Sequence, residues 1–137
     1  MKKQALQLAA LCLFLAFTIG HGQAQSITVK VPFNFLISNT TFPAGLYSMS
    51  VTGNKFTLQD SSRKPILFGI ANQVSGRRVN DYGQFVFHCY DDLCFLAEFW
   101  TPTRENGSQL LPSRYEAELA KHRKGTEFAL LGAPPKR

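Results

Sequence analysis

The sequence has few of the residues, and none of the motifs, from which common enzyme sites are built. Its 137 residues include three Cys, three His, two Met and one Trp. It contains no GxSxG nucleophile elbow, HExxH zinc motif, phosphate-binding glycine loop or Cys-x-x-Cys pair. These absences predict a protein that is not an enzyme and that carries no cofactor or metal ion.

The chain also lacks an apolar run long enough to cross a bilayer as a helix. The longest run, Ala5 to Ile19, has about 15 residues, whereas a spanning helix needs about 20. The positive residues Lys2 and Lys3 precede this run, and a small-x-small pattern at 22–24 follows it. These features predict a secretory signal peptide over residues 1–24 and export to the periplasm or the extracellular space. No transmembrane segment is expected after cleavage.

Acidic residues are fewer than basic ones, but the excess of positive charge is small. Without the leader the chain has 13 Lys and Arg against 9 Asp and Glu, a net charge of +4. This charge favours anionic surfaces, such as lipid headgroups or acidic polysaccharide, and argues against nucleic acid as a partner. The basic residues near the helix, Arg114, Lys121, Arg123 and Lys124, are interpreted first as part of a solvated face, because neighbouring glutamates offset part of the charge. The alternative is a contact with an anionic envelope component through these residues.

Residues 25–137 are expected to form a single, mainly β domain. From Ser26 to Ser38 apolar residues alternate with others, which is typical of a strand with one buried face. Pro32 places this strand at a sheet edge or gives it a bulge. Further short segments separated by turn residues, among them Pro65 to Val74, predict an antiparallel meander of six to seven strands. Such a meander would close into a barrel or fold into a sandwich.

Two cysteines remain after the leader is removed, and they stand symmetrically about Asp91-Asp92 in the segment Gln84 to Trp100. If the two aspartates form a hairpin turn, Cys89 faces Cys94 in a cross-strand pair whose Cα atoms lie about 4.5 Å apart. An even pair of cysteines in an exported protein favours a structural disulfide. Two buried free thiols, or a redox or metal role, are the alternatives.

Both faces of this predicted hairpin are apolar, so one is expected to be covered by the opposing sheet and the other by a C-terminal helix. The first face is predicted to carry Phe85, Phe87, Cys89, Cys94, Leu96 and Glu98. The second is predicted to carry Val86, His88, Tyr90, Leu93, Phe95, Ala97 and Phe99. Because His88 and Cys89 point to opposite faces, they cannot form a thiol–imidazole pair, and His88 is interpreted as a structural histidine. The aspartates are interpreted as solvated turn residues.

A capping box predicts one helix after these strands. Ser113 and Glu116 have the spacing at which each side chain caps the backbone amide of the other. The helix is expected to run from about Arg114 to Lys124. Its narrow apolar stripe is predicted to consist of Tyr115, Leu119 and His122. Residues 128–131 form either a short last strand or a docked tail, and residues 133–137 are expected to be a flexible tail.

Short motifs are spread over most of the chain. They are the signal peptide, VKVPFNF at 29–35, FPAGLY at 42–47, FHCY at 87–90, FL at 95–96, Trp100 and SRYEAELA at 113–120. Together they resemble a group of small exported bacterial proteins of the Acidobacteria type whose function is uncharacterised. That group is expected to have polar or aromatic residues where Cys89 and Cys94 stand here, so the resemblance implies that the disulfide is a local addition. It implies no catalytic, cofactor-binding or metal-binding residue.

The sequence supports three functional hypotheses, in descending order. The first is an exported, non-enzymatic β domain that acts as a binding or structural component of the cell envelope. The second is a small β-barrel that carries an apolar ligand, and the third is an unrecognised hydrolase. A filled core would favour the first hypothesis, and an enclosed apolar cavity the second. A cleft that joins His88 or His122 to a carboxylate and a nucleophile would favour the third.

Overall fold

A computed structural model describes residues 25–76, 82–102 and 106–133 of the chain. The predicted signal peptide, residues 1–24, and most of the predicted tail, residues 134–137, lie outside the described residues. The strands are β1 (Gln25–Val31), β2 (Phe35–Ile37), β3 (Thr40–Phe42), β4 (Gly45–Thr52), β5 (Lys55–Gln59), β6 (Pro65–Ile70), β7 (Asn72–Ser75), β8 (Gln84–Tyr90), β9 (Leu93–Trp100), β10 (Asn106–Gln109) and β11 (Thr126–Leu131), and the helix is α1 (Arg114–His122). For the described residues, the prediction of a mainly β fold with a C-terminal helix is confirmed.

The strands form two sheets. The four-stranded sheet has the order β1-β4-β5-β6 and is antiparallel throughout. The seven-stranded sheet has the order β11-β8-β9-β10-β7, and β2, paired with β3, also joins it at β9. β2 runs parallel to β9, where Leu36 pairs with Phe95. The expected antiparallel meander of six to seven strands is therefore wrong in topology, and neither sheet of the described residues closes into a barrel.

Two segments that were each predicted as one strand instead pass from one sheet to the other. The first breaks at Pro32, which cannot donate to a ladder, so β1 belongs to the four-stranded sheet and β2 to the seven-stranded one. The second breaks at Ala71, whose amide donates to the carbonyl of Asn54 at 2.8 Å. β6 before it and β7 after it therefore lie in different sheets.

Aromatic side chains from both sheets fill the space between them. Phe35 is fully buried, and its ring centroid lies 5.0 Å from that of Tyr47 and 5.6 Å from that of Phe87. Farther along, Phe56 of the four-stranded sheet and Phe99 of the seven-stranded sheet meet at 5.7 Å. Burial of such a ring stabilises by about 1.5–3 kcal/mol, and each edge-on pair adds about 0.5–1.5 kcal/mol. The interior is therefore the main source of stability.

The central hairpin has the predicted turn and pairing near the turn, but a bulge changes its faces farther along. His88 pairs with Phe95 as expected, whereas the register shifts between Val86 and Phe87, so that Phe85 pairs with Phe99. The predicted positions of Glu98 and Phe99 are therefore exchanged. Phe99 joins the core, and Glu98 lies on the outer face, where its carboxylate accepts from the Trp100 indole at 3.2 Å.

Cys89 and Cys94 form the predicted disulfide, with their Cα atoms 4.0 Å apart. We expect the Cys89→Ala/Cys94→Ala double variant to lose about 2 kcal/mol of unfolding free energy, because this crosslink closes a loop of only a few residues. Urea unfolding of the variant and the oxidised protein measures the loss. Thiol titration of residues 25–137 in denaturant without reductant should find no free thiol, and any titratable thiol contradicts the assignment.

Helix α1 starts as predicted but ends earlier and buries a different residue. Ser113 accepts from the backbone amide of Glu116 at 3.1 Å, whereas the Glu116 carboxylate does not return to Ser113 and bonds Tyr90 instead. The helix ends at His122, two residues before the predicted end, because the chain must be extended to pair Thr126 with Cys89 of β8. The predicted apolar stripe is confirmed only in part: the Tyr115 ring packs edge-on against Phe95 with centroids 6.0 Å apart and Leu119 is half-buried, but His122 is exposed and Glu116 is the buried residue of the helix.

Candidate functional site

The reactive side chains of the hairpin do not converge on one site. Cys89 and Cys94 are consumed in the disulfide, and Asp91 and Asp92 are exposed in the turn. His88 lies on the opposite face, beside α1, with 41% of its side chain exposed. Among residues 25–76, 82–102 and 106–133, no three His, Cys, Asp or Glu side chains are grouped so that they could hold a metal ion.

Glu116 forms a small polar cluster between α1 and the hairpin. The Tyr90 hydroxyl donates to Glu116 Oε2 at 3.3 Å, and His88 Nδ1 lies 3.9 Å from the same oxygen. Burial raises the pKa of Glu116 above its ordinary value, and the nearby imidazole and phenol offset this only in part. Burial and the neighbouring carboxylate also raise the pKa of Tyr90. The cluster ties the helix to the sheet, and the Tyr90 hydroxyl donates its hydrogen bond to the Glu116 carboxylate.

This cluster predicts how stability changes with pH. The folded chain holds the Glu116 proton more tightly than the unfolded chain does, because the pKa is raised by folding. The associated stability is present below the ordinary glutamate pKa and is lost as pH rises through the folded pKa. Glu116→Gln cannot ionise, so it should gain stability relative to the wild type over that pH window. Urea unfolding of both proteins at a series of pH values from acid to neutral measures the gain.

Glu118 provides the matched control, because it lies on the same helix with 56% of its side chain exposed and forms a surface ion pair with Lys121. Glu118→Gln should change stability little and should keep the pH dependence of the wild type. Parallel pH profiles for Glu116→Gln and the wild type would show that the Glu116 carboxyl is not perturbed by folding.

The basic residues predicted to contact an anionic surface are interspersed with carboxylates. They are exposed, and they are Arg114, Lys121, Arg123 and Lys124. Lys121 pairs with Glu118 at 3.3 Å, and Arg123 forms an ion pair with Asp91 of the hairpin turn. Arg114, Glu118 and Lys121 have helical spacings that put them on one side of α1, so a carboxylate stands between two cations. An anionic contact through this segment stays a prediction.

A groove lined by both polar and apolar residues crosses the outer face of the four-stranded sheet. Its floor contains Thr28 of β1, Ser48 of β4 and Gln59 of β5, which are direct neighbours in the sheet register. The hydroxyls of Thr28 and Ser48 lie 2.9 Å apart and are hydrogen-bonded. These side chains point outward because strand residues alternate between faces, and Ile27 and Val29 take the core side. The groove has a volume of about 610 Å³, which is in the range of small-ligand sites.

The turn between β5 and β6 forms one wall of the groove, and Tyr82 and Pro102 form part of the other. In this turn the Asp60 carboxylate accepts from the backbone amide of Ser62 at 2.9 Å and from its hydroxyl. These hydrogen bonds hold the pKa of Asp60 below its ordinary value. The wall therefore carries a fixed negative charge at neutral pH.

Arg63 closes the same turn in a left-handed conformation. Its φ is +63°, and its amide donates to the Asp60 carbonyl at 3.0 Å. A residue with a Cβ pays about 1 kcal/mol in this region, where glycine or asparagine fits without strain. The turn nevertheless places the exposed residue Arg63 in the lining of the groove. This combination of strain and a displayed charge marks the groove as the candidate functional site.

This groove was not predictable from the sequence, because its residues come from three strands, one turn and three distant segments. Each contributing segment is a plain alternating strand or a polar turn. The one local sign was an arginine where a tight turn commonly has glycine or asparagine.

The described residues contain no helix that is long and apolar enough to cross a membrane. Comparison with known proteins finds no relative: no family model matches the chain, and no curated protein and no solved structure matches it significantly.

Proposed function

We propose that this chain is exported and acts in the cell envelope as a non-enzymatic binding or structural component. The leader pattern of residues 1–24 supports export, and the Cys89–Cys94 disulfide is compatible with an oxidising compartment. Export places the mature domain in the periplasm or outside the cell.

The observation that carries this proposal is the close packing of aromatic rings between the two sheets of the described residues. A carrier of an apolar ligand needs an internal space. Between the two sheets, however, the ring centroid of Phe35 lies only 5.0–5.6 Å from those of Phe42, Tyr47 and Phe87. This packing supports recognition at the outer faces, where the groove lies. The sandwich-like arrangement of two sheets supports this in preference to a ligand-carrying barrel.

Expression of the full chain in a Gram-negative host tests export. The exported fraction should contain a protein that begins at Gln25, as shown by its intact mass. Leu13→Arg, which places a charge in the apolar run, is the matched control and should leave the uncleaved chain in the cytosol. Equal cytosolic retention of both proteins would contradict the proposal.

Cosedimentation tests binding. Residues 25–137 should pellet with isolated cell envelopes in a saturable manner. Denaturing the envelope proteins by heat should not prevent this binding. A protein that stays in the supernatant at every envelope concentration would contradict a binding role.

A further inference from the structure

We propose that the groove on the four-stranded sheet binds an acidic saccharide, a sugar that carries a carboxylate, with Arg63 as the residue that recognises the carboxylate. The proposal rests on the proposed binding function and names its site and ligand class. It follows from the chemistry of the floor, the charge at the wall and the position of the groove on a sheet face.

The floor offers hydrogen-bonding groups in a row. Thr28, Ser48 and Gln59 lie side by side on three adjacent strands, so the row extends about 10 Å at the usual strand spacing. Hydroxyls donate and accept, and an amide does both from separate atoms. Such groups complement the hydroxyls of a short saccharide lying across the strands. Leu46 and Pro102, which also line the groove, give apolar contact for the C–H faces of sugar rings.

The wall supplies charge of a specific kind. A guanidinium binds a carboxylate through two parallel hydrogen bonds, which a hydroxyl-only sugar cannot reproduce. The Asp60 carboxylate accepts a hydrogen bond from the Ser62 amide, which fixes the turn. Asp60 also lines the groove, where its carboxylate would accept hydrogen bonds from sugar hydroxyls. The conformation of Arg63 is unfavourable for the isolated turn, and it is accounted for if the guanidinium has a binding role.

The position of the groove disfavours other ligands. A peptide that added a strand would need a free sheet edge, but beside the groove the Thr28 carbonyl of the β1 edge already accepts from the Ala133 amide at 2.7 Å. An acyl chain would leave the hydroxyls of Thr28 and Ser48 and the amide of Gln59 covered without hydrogen-bond partners from the ligand, whereas a sugar both bonds these groups and contacts the apolar part of the lining. A hydroxyl-rich anion satisfies both the floor and the wall.

Isothermal titration of residues 25–137 with tri-galacturonate, and with neutral maltotriose for comparison, tests the proposal. We expect saturable binding of the acidic trimer and at least tenfold weaker binding of the neutral one. Arg63→Gly and Arg63→Asn remove the guanidinium with residues that accept φ near +60°. Both should weaken binding of tri-galacturonate at least tenfold, with a melting temperature no lower than that of the wild type.

Ser38→Gly is the matched control, because Ser38 also has a positive φ of +55° and does not line the groove. It should relieve the same type of backbone strain and leave the affinity unchanged. Unchanged affinity in both Arg63 variants, or equal binding of maltotriose, would overturn the proposal. Tighter binding of a single-stranded oligonucleotide than of tri-galacturonate would overturn it as well.

Envelope cosedimentation separates this proposal from the broader one. If the Arg63 variants pellet with envelopes as the wild type does, binding is retained and the groove is the wrong site. If the wild type does not pellet either, the proposed function itself fails.

Discussion

Phe35→Ala is expected to lower the free energy of unfolding by about 3–5 kcal/mol, the loss typical of a large buried ring that leaves a cavity. The Phe35 side chain is fully buried and contacts aromatic rings of both sheets, among them Tyr47 and Phe87. Because small domains are stable by only about 5–15 kcal/mol, the loss should shift the urea midpoint strongly. Equilibrium unfolding followed by circular dichroism measures it.

Phe68→Ala is the matched control, since Phe68 is the same residue type but is 70% exposed on β6. It should change stability by no more than about 0.5 kcal/mol. Similar losses for the two variants would mean that Phe35 is not at the junction of the two sheets, and the filled interior would have to be abandoned.

Gly107→Ala is expected to destabilise by about 3 kcal/mol through steric overlap with Trp100. A Cβ at Gly107 would lie 2.4 Å from two atoms of the indole ring, which is itself 2% exposed. The ring has little room to retreat, because Gly76 lies so close to its other edge that a Cβ added there would be 3.0 Å from the indole. Urea unfolding measures the loss, and Trp100 is the sole tryptophan, so its fluorescence should shift to the red in the same variant.

Gly45→Ala separates this effect from a general cost of replacing glycine. Gly45 also lies in a strand, and a Cβ there would meet Tyr47 at an ordinary 3.8 Å. Its stability and tryptophan emission should match those of the wild type. If Gly107→Ala is equally silent, the indole does not pack on the backbone of β10.

Strand alternation was predictable wherever one face of a strand is buried. Ile27, Val29 and Val31 are buried as their spacing indicates. The hairpin turn and the cysteine pairing were predictable for the same reason, because local symmetry about two turn residues determines which strand residues face each other.

The passage of strands between sheets was not predictable from alternation. Residues before and after Pro32 keep the same inward phase, so the pattern is equally consistent with one long strand and with two strands in different sheets. The bulge between Val86 and Phe87 likewise could not be predicted from the sequence pattern, because this segment is apolar on both faces. Glu116 was assigned to a cap, because nothing local indicates that its carboxylate is buried against Tyr90.

The candidate site was unpredictable for a related reason. Its floor depends on the registers that align Thr28 with Ser48 and Ser48 with Gln59, and registers are a property of the whole sheet. Only the strained turn at Arg63 is local, and the sequence does not reveal its φ.

Native mass spectrometry of the exported protein, purified without denaturation, is the most direct test of the central claim that the interior is filled and recognition is external. We expect a mass equal to residues 25–137 less two hydrogens for the disulfide, with no bound apolar molecule. A lipid or other apolar ligand that remains bound through purification would contradict the claim and would favour a carrier with an internal site.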